Sequence, residues 1–155
     1  MTSSHDSRAA KAEKIGQHIS RFPRQWRAVL DNKLAPLGLT QTRWVTLYCL
    51  AKGGEGAVQR ELAAIIGVEA PSLVRTLDQL AEQGLIERRQ CGDDRRSKRI
   101  YLTANATPLI KKMETIVRTT RMELLQGLDD KDIDTLINII DKLDQNCVQL
   151  LEHKR

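Results

Sequence analysis

Aromatic residues are nearly missing from this 155-residue chain: two tryptophans, two tyrosines and one phenylalanine, 3% of the whole. Its core must be built from Leu, Ile, Val and Ala, which suits packed helices. The three cysteines, Cys49, Cys91 and Cys147, are odd in number and far apart. They argue against a disulfide scaffold and fit reduced thiols in a cytoplasm. The three histidines, His5, His18 and His153, have no cysteine or carboxylate at metal-ligand spacing, so no metal site and no cofactor are expected. There is no glycine-rich phosphate loop and no nucleophile elbow, which leaves no residue set for an enzyme. No apolar stretch approaches the roughly 18 residues needed to span a bilayer. The opening MTSSHDSRAAKAEK is polar, so neither a secretory leader nor a membrane partner is expected.

Against these absences stand 41% hydrophobic residues, enough for a core, and a net charge of +5 with a pI near 9.3. Length suggests one domain with an extended dimerisation part. The basic excess favours nucleic acid or anionic membranes over acidic substrates, though the excess is small.

Residues 59–103 say most. From Gln59 to Ile66, the apolar Leu62, Ala63 and Ile66 share one face of a short helix. Gly67 follows where a helix C-terminus favours φ > 0. A second helix starts near Pro71, an imide tolerated in a first turn because its missing N–H has no intrahelical partner there. Leu73, Leu77, Leu80 and Ala81 give it an apolar stripe. Its other side is read as Ser72, Arg75, Thr76, Gln79 and Gln83, one cation among neutral groups, with Glu82 as the carboxylate at its edge. Such a face suits a DNA major groove, where donors and acceptors on base edges must be matched. An ordinary amphipathic helix has much the same pattern. Gly84 ends it. Residues 85–89 and 99–102 are short extended stretches joined by turn formers at 90–94. Within 85–103, six cations (Arg88, Arg89, Arg95, Arg96, Lys98, Arg99) stand against Glu87, Asp93 and Asp94. A cationic hairpin beside a helix-turn-helix makes a winged helix, with arginines in reach of the minor groove or its phosphates.

Asp94-Arg95-Arg96-Ser97-Lys98-Arg99-Ile100-Tyr101-Leu102-Thr103 fits the D-x-R-x-x-x-x-x-L-T wing signature, and here the chain resembles the MarR-type transcriptional regulators. Pro71-Ser72-Leu73-Val74-Arg75-Thr76-Leu77-Asp78-Gln79-Leu80 looks like the SlyA branch of that family. So does Leu39-Thr40-Gln41-Thr42, followed two residues on by Val45-Thr46-Leu47. The resemblance runs from about Trp26 to the C-terminus. It implies a bacterial, cytoplasmic, nucleoid-associated homodimer, repressor or activator, bound to palindromic promoter sites in double-stranded DNA. The implied recognition-helix contacts fall on Ser72, Arg75 and Thr76, with Pro71 and Gln79 beside them. The implied wing contacts fall on Arg95 and Arg96, with Lys98 nearby and Asp94 holding Arg96.

Elsewhere, residues 1–12 lack an apolar period and are expected to be disordered. Ile15, Ile19, Phe22, Trp26, Val29 or Leu30, and Leu34 then make a helical pattern that Pro23 interrupts. Proline inside a helix costs about 3 kcal/mol or more, which predicts a kink or a fresh start there. The family pattern has an ordinary apolar residue at this point. Arg8, Lys11, Lys14, Arg21, Arg24 and Arg27 lie around this segment, as on a solvated helix. Pro36-Leu37-Gly38 breaks the chain. Thr40 is expected to cap a helix carrying Trp44, Val45, Tyr48 and Ala51, and 53–56 to be a flexible connection. Thr103 is expected to cap a long helix through Leu125 whose first turn Pro108 distorts. Asp129 is expected to cap the last helix, where Ile133, Leu136, Ile137, Ile140, Leu143, Cys147, Leu150 and Leu151 keep a helical period.

That last stripe outruns the needs of a small winged-helix core, so a second copy of the chain is its expected cover. Residues 123–155 carry eight carboxylates against four cations, a poor phosphate contact. The expected fold is mainly α with a small β-wing. It comprises a disordered 1–12, a helical dimerisation region at 13–36 and 104–155, and a winged-helix lobe at 37–103. Within that lobe the helix-turn-helix falls at about 57–80 and the wing at about 85–103. A two-fold dimer sets its recognition helices about 34 Å apart, one duplex turn, and predicts a palindromic site.

Two sensors are conceivable. A small phenolic or aromatic carboxylate, of the kind family relatives bind, fits stacking on Trp26 and Trp44 with Arg24 or Arg27 at its carboxylate. Plain core packing of the tryptophans is the other reading. Cys91 among arginines fits a redox switch, or simply a small turn residue. Two other functions stay open: a winged helix that docks a protein, and a sequence-blind, nucleoid-type DNA binder.

Overall fold

The computed structural model describes residues 4–53, 56–91 and 94–152, with the side chains of 4–6, 91 and 94–97 outside the description. The chain divides into two compact units, residues 1–120 and 121–155. The order is α1 (Ser4–Leu34), a 3-10 turn (Ala35–Leu37), α2 (Gln41–Gly53), β1 (Ala57–Val58), α3 (Gln59–Ile66) and α4 (Ala70–Glu82). Then come β2 (Ile86–Cys91), β3 (Asp94–Leu102), a second 3-10 turn (Ala104–Ala106), α5 (Thr107–Leu124) and α6 (Asp130–Glu152). The fold is mainly helical with a small antiparallel sheet in the order β1-β3-β2, a winged helix-turn-helix. No described helix is long and apolar enough to cross a membrane.

One core serves residues 1–120. It is the aliphatic core that the shortage of aromatics demands: Leu30 and Leu34 of α1, Leu47 and Leu50 of α2, and Leu62 and Ile66 of α3. Leu73, Leu77 and Leu80 of α4, Ile86 and Ile100 of the sheet, and Met113 and Val117 of α5 join it, with Leu39 and Ala63. Trp44 is the aromatic exception, buried, with its Nε1 donating to Asp31 Oδ1 at 2.6 Å and so tying α2 to α1.

Four expectations need correction. First, residues 4–12 are helical, not disordered, because α1 runs back to Ser4. Ala9, Ala10, Lys11, Ala12 and Glu13 are strong helix formers, and extending an existing helix needs no new nucleus. Second, of the two outcomes expected at Pro23, a kink or a fresh start, the fresh start does not occur: α1 is one helix through it. Pro23 and Ile19, whose carbonyl it leaves without its usual donor, are both exposed residues, where water can serve in its place. Third, Thr103 makes no side-chain cap. Its hydroxyl donates instead to the Gly84 carbonyl at 2.5 Å, pinning the wing's exit to its start. The chain takes a 3-10 turn before α5, so Pro108 lands in a first turn, where an imide is tolerated. Fourth, Gly56 is not slack. It holds φ +81, donates its N–H to the Ile100 carbonyl, and lies so near Tyr101 that a Cβ would sit 3.0 Å from its Oη, a contact the ring would have to yield to.

The helix-turn-helix agrees with the sequence. Gly67 closes α3 at φ +75, with its N–H on the Ala63 carbonyl. Pro71 sits in the first turn of α4. In the second unit, Asp129 caps α6: its Oδ1 accepts from the Asp132 N–H at 2.8 Å, and Asp132 Oδ2 accepts from the Asp129 N–H at 3.4 Å. No residue of α6 is buried.

Candidate nucleic-acid interface

The face that α4 offers follows from what it buries. Leu73, Leu77 and Leu80 are sealed in the core, which turns Pro71, Ser72, Arg75 and Gln79 outward, all exposed. Four of the five helix residues expected at DNA thus share one surface. Thr76 departs from them. It is only 7% exposed, and its Oγ1 donates back to the Ser72 carbonyl at 3.1 Å. The apolar arc of α4 is wider than the leucines alone indicate, and residue 76 falls inside it.

The outward face also carries a carboxylate that the sequence reading passed over. Asp78 is exposed, one turn from Val74. It accepts from Arg88 Nη1 at 2.6 Å, while Arg88 Nη2 donates to the Val74 carbonyl at 3.2 Å. The flanking acid is therefore neutralised by a wing arginine. The available signal was the alternation of β2, which sets Arg88 on the same strand face as buried Ile86 and hence toward the helices.

In the wing, Ile86 pairs with Leu102, Arg88 with Ile100, Arg89 with Arg99 and Gln90 with Lys98, with a bulge between Gln90 and Cys91. The strands are longer than expected and reach to Cys91 and back from Asp94. The short β1 adds an edge, with Ala57 opposite Ile100 and Val58 opposite Arg99. Several of the wing cations are engaged within the protein. Arg88 holds α4. Arg89 pairs with Glu87 and lies over the Tyr101 ring, 4.3 Å from its centroid. Arg99 donates to the Gly56 carbonyl at 2.8 Å. Lys98 is exposed. The backbone of Asp94, Arg95 and Arg96 belongs to β3, while their side chains, like that of Cys91 and the whole of Gly92 and Asp93, lie outside the described residues.

A second concavity lies between α1 and α2. Phe22, Pro23, Trp26, Arg27, Leu30 and Trp44 line a cavity of about 330 Å³. The Phe22 and Trp26 rings meet edge to face, 5.4 Å apart. Trp26, Arg27 and Trp44, named together from the sequence, are thus brought together. Arg24 is not: it lines a separate depression along α1 with Gly16, Gln17, His18, Ser20 and Arg21. Half-burial pushes the Cys49 thiol above its ordinary range by desolvation, whereas Cys147 is exposed on α6. Among the described residues, no group of three His, Cys, Asp or Glu is placed to hold a metal ion.

The MarR family model matches residues 39–98, which take in α2, the helix-turn-helix and most of the wing. The solved structure of transcriptional regulator PA3341 is 38% identical; the alignment covers 87% of this chain and 98% of that one, with a TM-score of 0.79. A MarR family regulator from Rhodococcus sp. RHA1 is 25% identical over 85% of this chain and 93% of its own, at a TM-score of 0.73. The transcriptional regulator SlyA, 23% identical over 91% and 99%, shares the fold at a TM-score of 0.74. With residues 39–98 matched by the family model and a solved transcriptional regulator 38% identical over 87% of its length, the chain belongs to the MarR family.

Proposed function

We propose that this chain is a sequence-specific, homodimeric transcriptional regulator of the SlyA-like branch that reads palindromic promoter DNA in the cytoplasm. The observation that carries the reading is the outward face of α4. Ser72, Arg75 and Gln79 stand exposed together on a helix whose other side is anchored by fully buried leucines. Rigid anchoring of hydrogen-bonding groups is what base readout in the major groove requires. Arg95, Arg96 and Lys98 supply the phosphate or minor-groove contacts from the wing, with Asp94 orienting Arg96. The second copy covers the apolar stripe of α6 and brings a second α4 about one duplex turn away.

A gel-shift titration on palindromic and scrambled duplexes at several salt concentrations tests the reading. The palindrome is expected to bind about 1,000-fold or more tightly than the scrambled duplex. Equal affinity means a sequence-blind binder. No duplex binding at physiological salt means a protein-docking winged helix. Arg75→Ala is expected to cost about 1–3 kcal/mol on the palindrome and to relax its sequence preference.

The cavity of Phe22, Trp26, Arg27 and Trp44 supports regulation by a small aromatic carboxylate. The rings offer stacking surface and Arg27 a cation for the acid. Tryptophan fluorescence and DNA affinity are both expected to fall as salicylate is added to millimolar levels. Unchanged values sink the effector and leave the DNA reading intact.

A further inference from the structure

We propose that Arg88 is a positioning residue for DNA reading: it locks the first wing strand to the recognition helix, so that both meet the duplex as one surface. The proposal rests on the DNA-reading function above. Arg88 occupies the core-facing side of β2, opposite buried Ile100. An arginine there needs partners, and it finds both on α4: the Asp78 carboxylate at 2.6 Å and the Val74 carbonyl at 3.2 Å. The two are four residues apart, so a single planar guanidinium grips the side chain and the backbone of the same helical turn. A lysine has no such fork. The side chain is 21% exposed, and its Nε is buried with no partner. A head folded onto the helix in this way is not directed at a phosphate. The turn that it grips, 74–78, carries Arg75 on its exposed side. Bidentate base contacts depend on the geometry of the donor, so slack in this turn degrades discrimination before it degrades charge attraction.

The test compares wild type, Arg88→Met, Arg88→Lys and Asp78→Asn, all full length, on palindromic and scrambled duplexes across a salt series. Thermal melts run beside them. Asp78→Asn is isosteric at a half-exposed position, so it reports even if Arg88→Met folds poorly. The palindrome-to-scrambled affinity ratio is expected to fall about tenfold in Arg88→Met and in Asp78→Asn, and less in Arg88→Lys. The slope of log affinity against log salt should stay at the wild-type value, since no phosphate contact is lost. The double variant Arg88→Met/Asp78→Asn should be no worse than either single one. A merely structural pair would lower the melting temperature and leave the ratio alone, which overturns the proposal. A slope flattened by about one unit makes Arg88 a phosphate contact and overturns it too. If wild type fails to discriminate, the DNA-reading function falls with it; if wild type discriminates and the variants do equally well, only the positioning role falls.

Discussion

Both α4 and α6 carry large aliphatic residues at three- and four-residue steps, yet the two helices end in opposite states. In α4, Leu73, Leu77 and Leu80 are sealed by α2, α3 and the sheet of the same chain. In α6, Leu136, Ile137, Ile140 and Leu143 remain between 38% and 50% exposed, and Leu150 and Leu151 are 70% exposed. An apolar stripe records that something covers a helix, not what does so. Fully burying one such side chain is worth about 1.5–3 kcal/mol, so covering the exposed parts of six of them offers a sizeable fraction of that for each. The difference between the helices bears on the proposed second copy: the stripe of α4 is covered within its own unit, whereas that of α6 is exposed.

The largest expected effect breaks the α6 side of this contrast. In the proposed dimer, Ile140→Asp places a carboxylate in the stripe that the two copies share. The dimer is expected to weaken by about 1,000-fold or more, read by sedimentation equilibrium, because a buried unpaired charge costs several kcal/mol. The helical circular dichroism of the monomer should persist. A dimer of unchanged affinity means that the stripe of α6 is not its interface. On the α4 side, Leu77→Ala is expected to lower folding stability by about 2–5 kcal/mol in urea denaturation, with dimer affinity little changed among molecules that remain folded. A loss under about 1 kcal/mol contradicts the burial of Leu77.

The same contrast measures what the sequence makes legible. Local signals served well: the leucine spacing of α4, Gly67 at positive φ, Pro71 in a first turn and the Asp129 cap were each read from a few adjacent residues. What escaped depends on partners distant in sequence. β1 is two residues long and exists only because β3 pairs with it, so no periodicity announces it. Gly56 resembles linker glycine until Tyr101 is laid against it. Thr103 has the chemistry of a cap but finds the Gly84 carbonyl first. The wing's arginines read as a charge run available to phosphates, whereas Arg88, Arg89 and Arg99 have partners in the fold. Loss of the Asp129 cap, by Asp129→Ala, is accordingly a local effect, expected to cost about 1 kcal/mol in a thermal melt.

The smallest expected effect is the sharpest test of how α4 faces. Arg75 and Thr76 are neighbours in the chain, both expected from the sequence at the duplex, yet one is exposed and the other is not. Thr76→Val keeps the shape and removes the hydroxyl. The Ser72 carbonyl that loses this donor still lies in a regular helix, where the backbone supplies it, so no buried acceptor is orphaned. A methyl in a largely apolar setting offsets part of the lost bond. Stability should therefore change by less than about 1 kcal/mol, and affinity for the palindrome by less than about threefold, against the roughly 1–3 kcal/mol expected for Arg75→Ala. Gel shifts on the two variants side by side decide it. If Thr76→Val loses as much affinity as Arg75→Ala, the hydroxyl reaches the duplex, and α4 must turn on binding to expose a residue that its free state keeps covered.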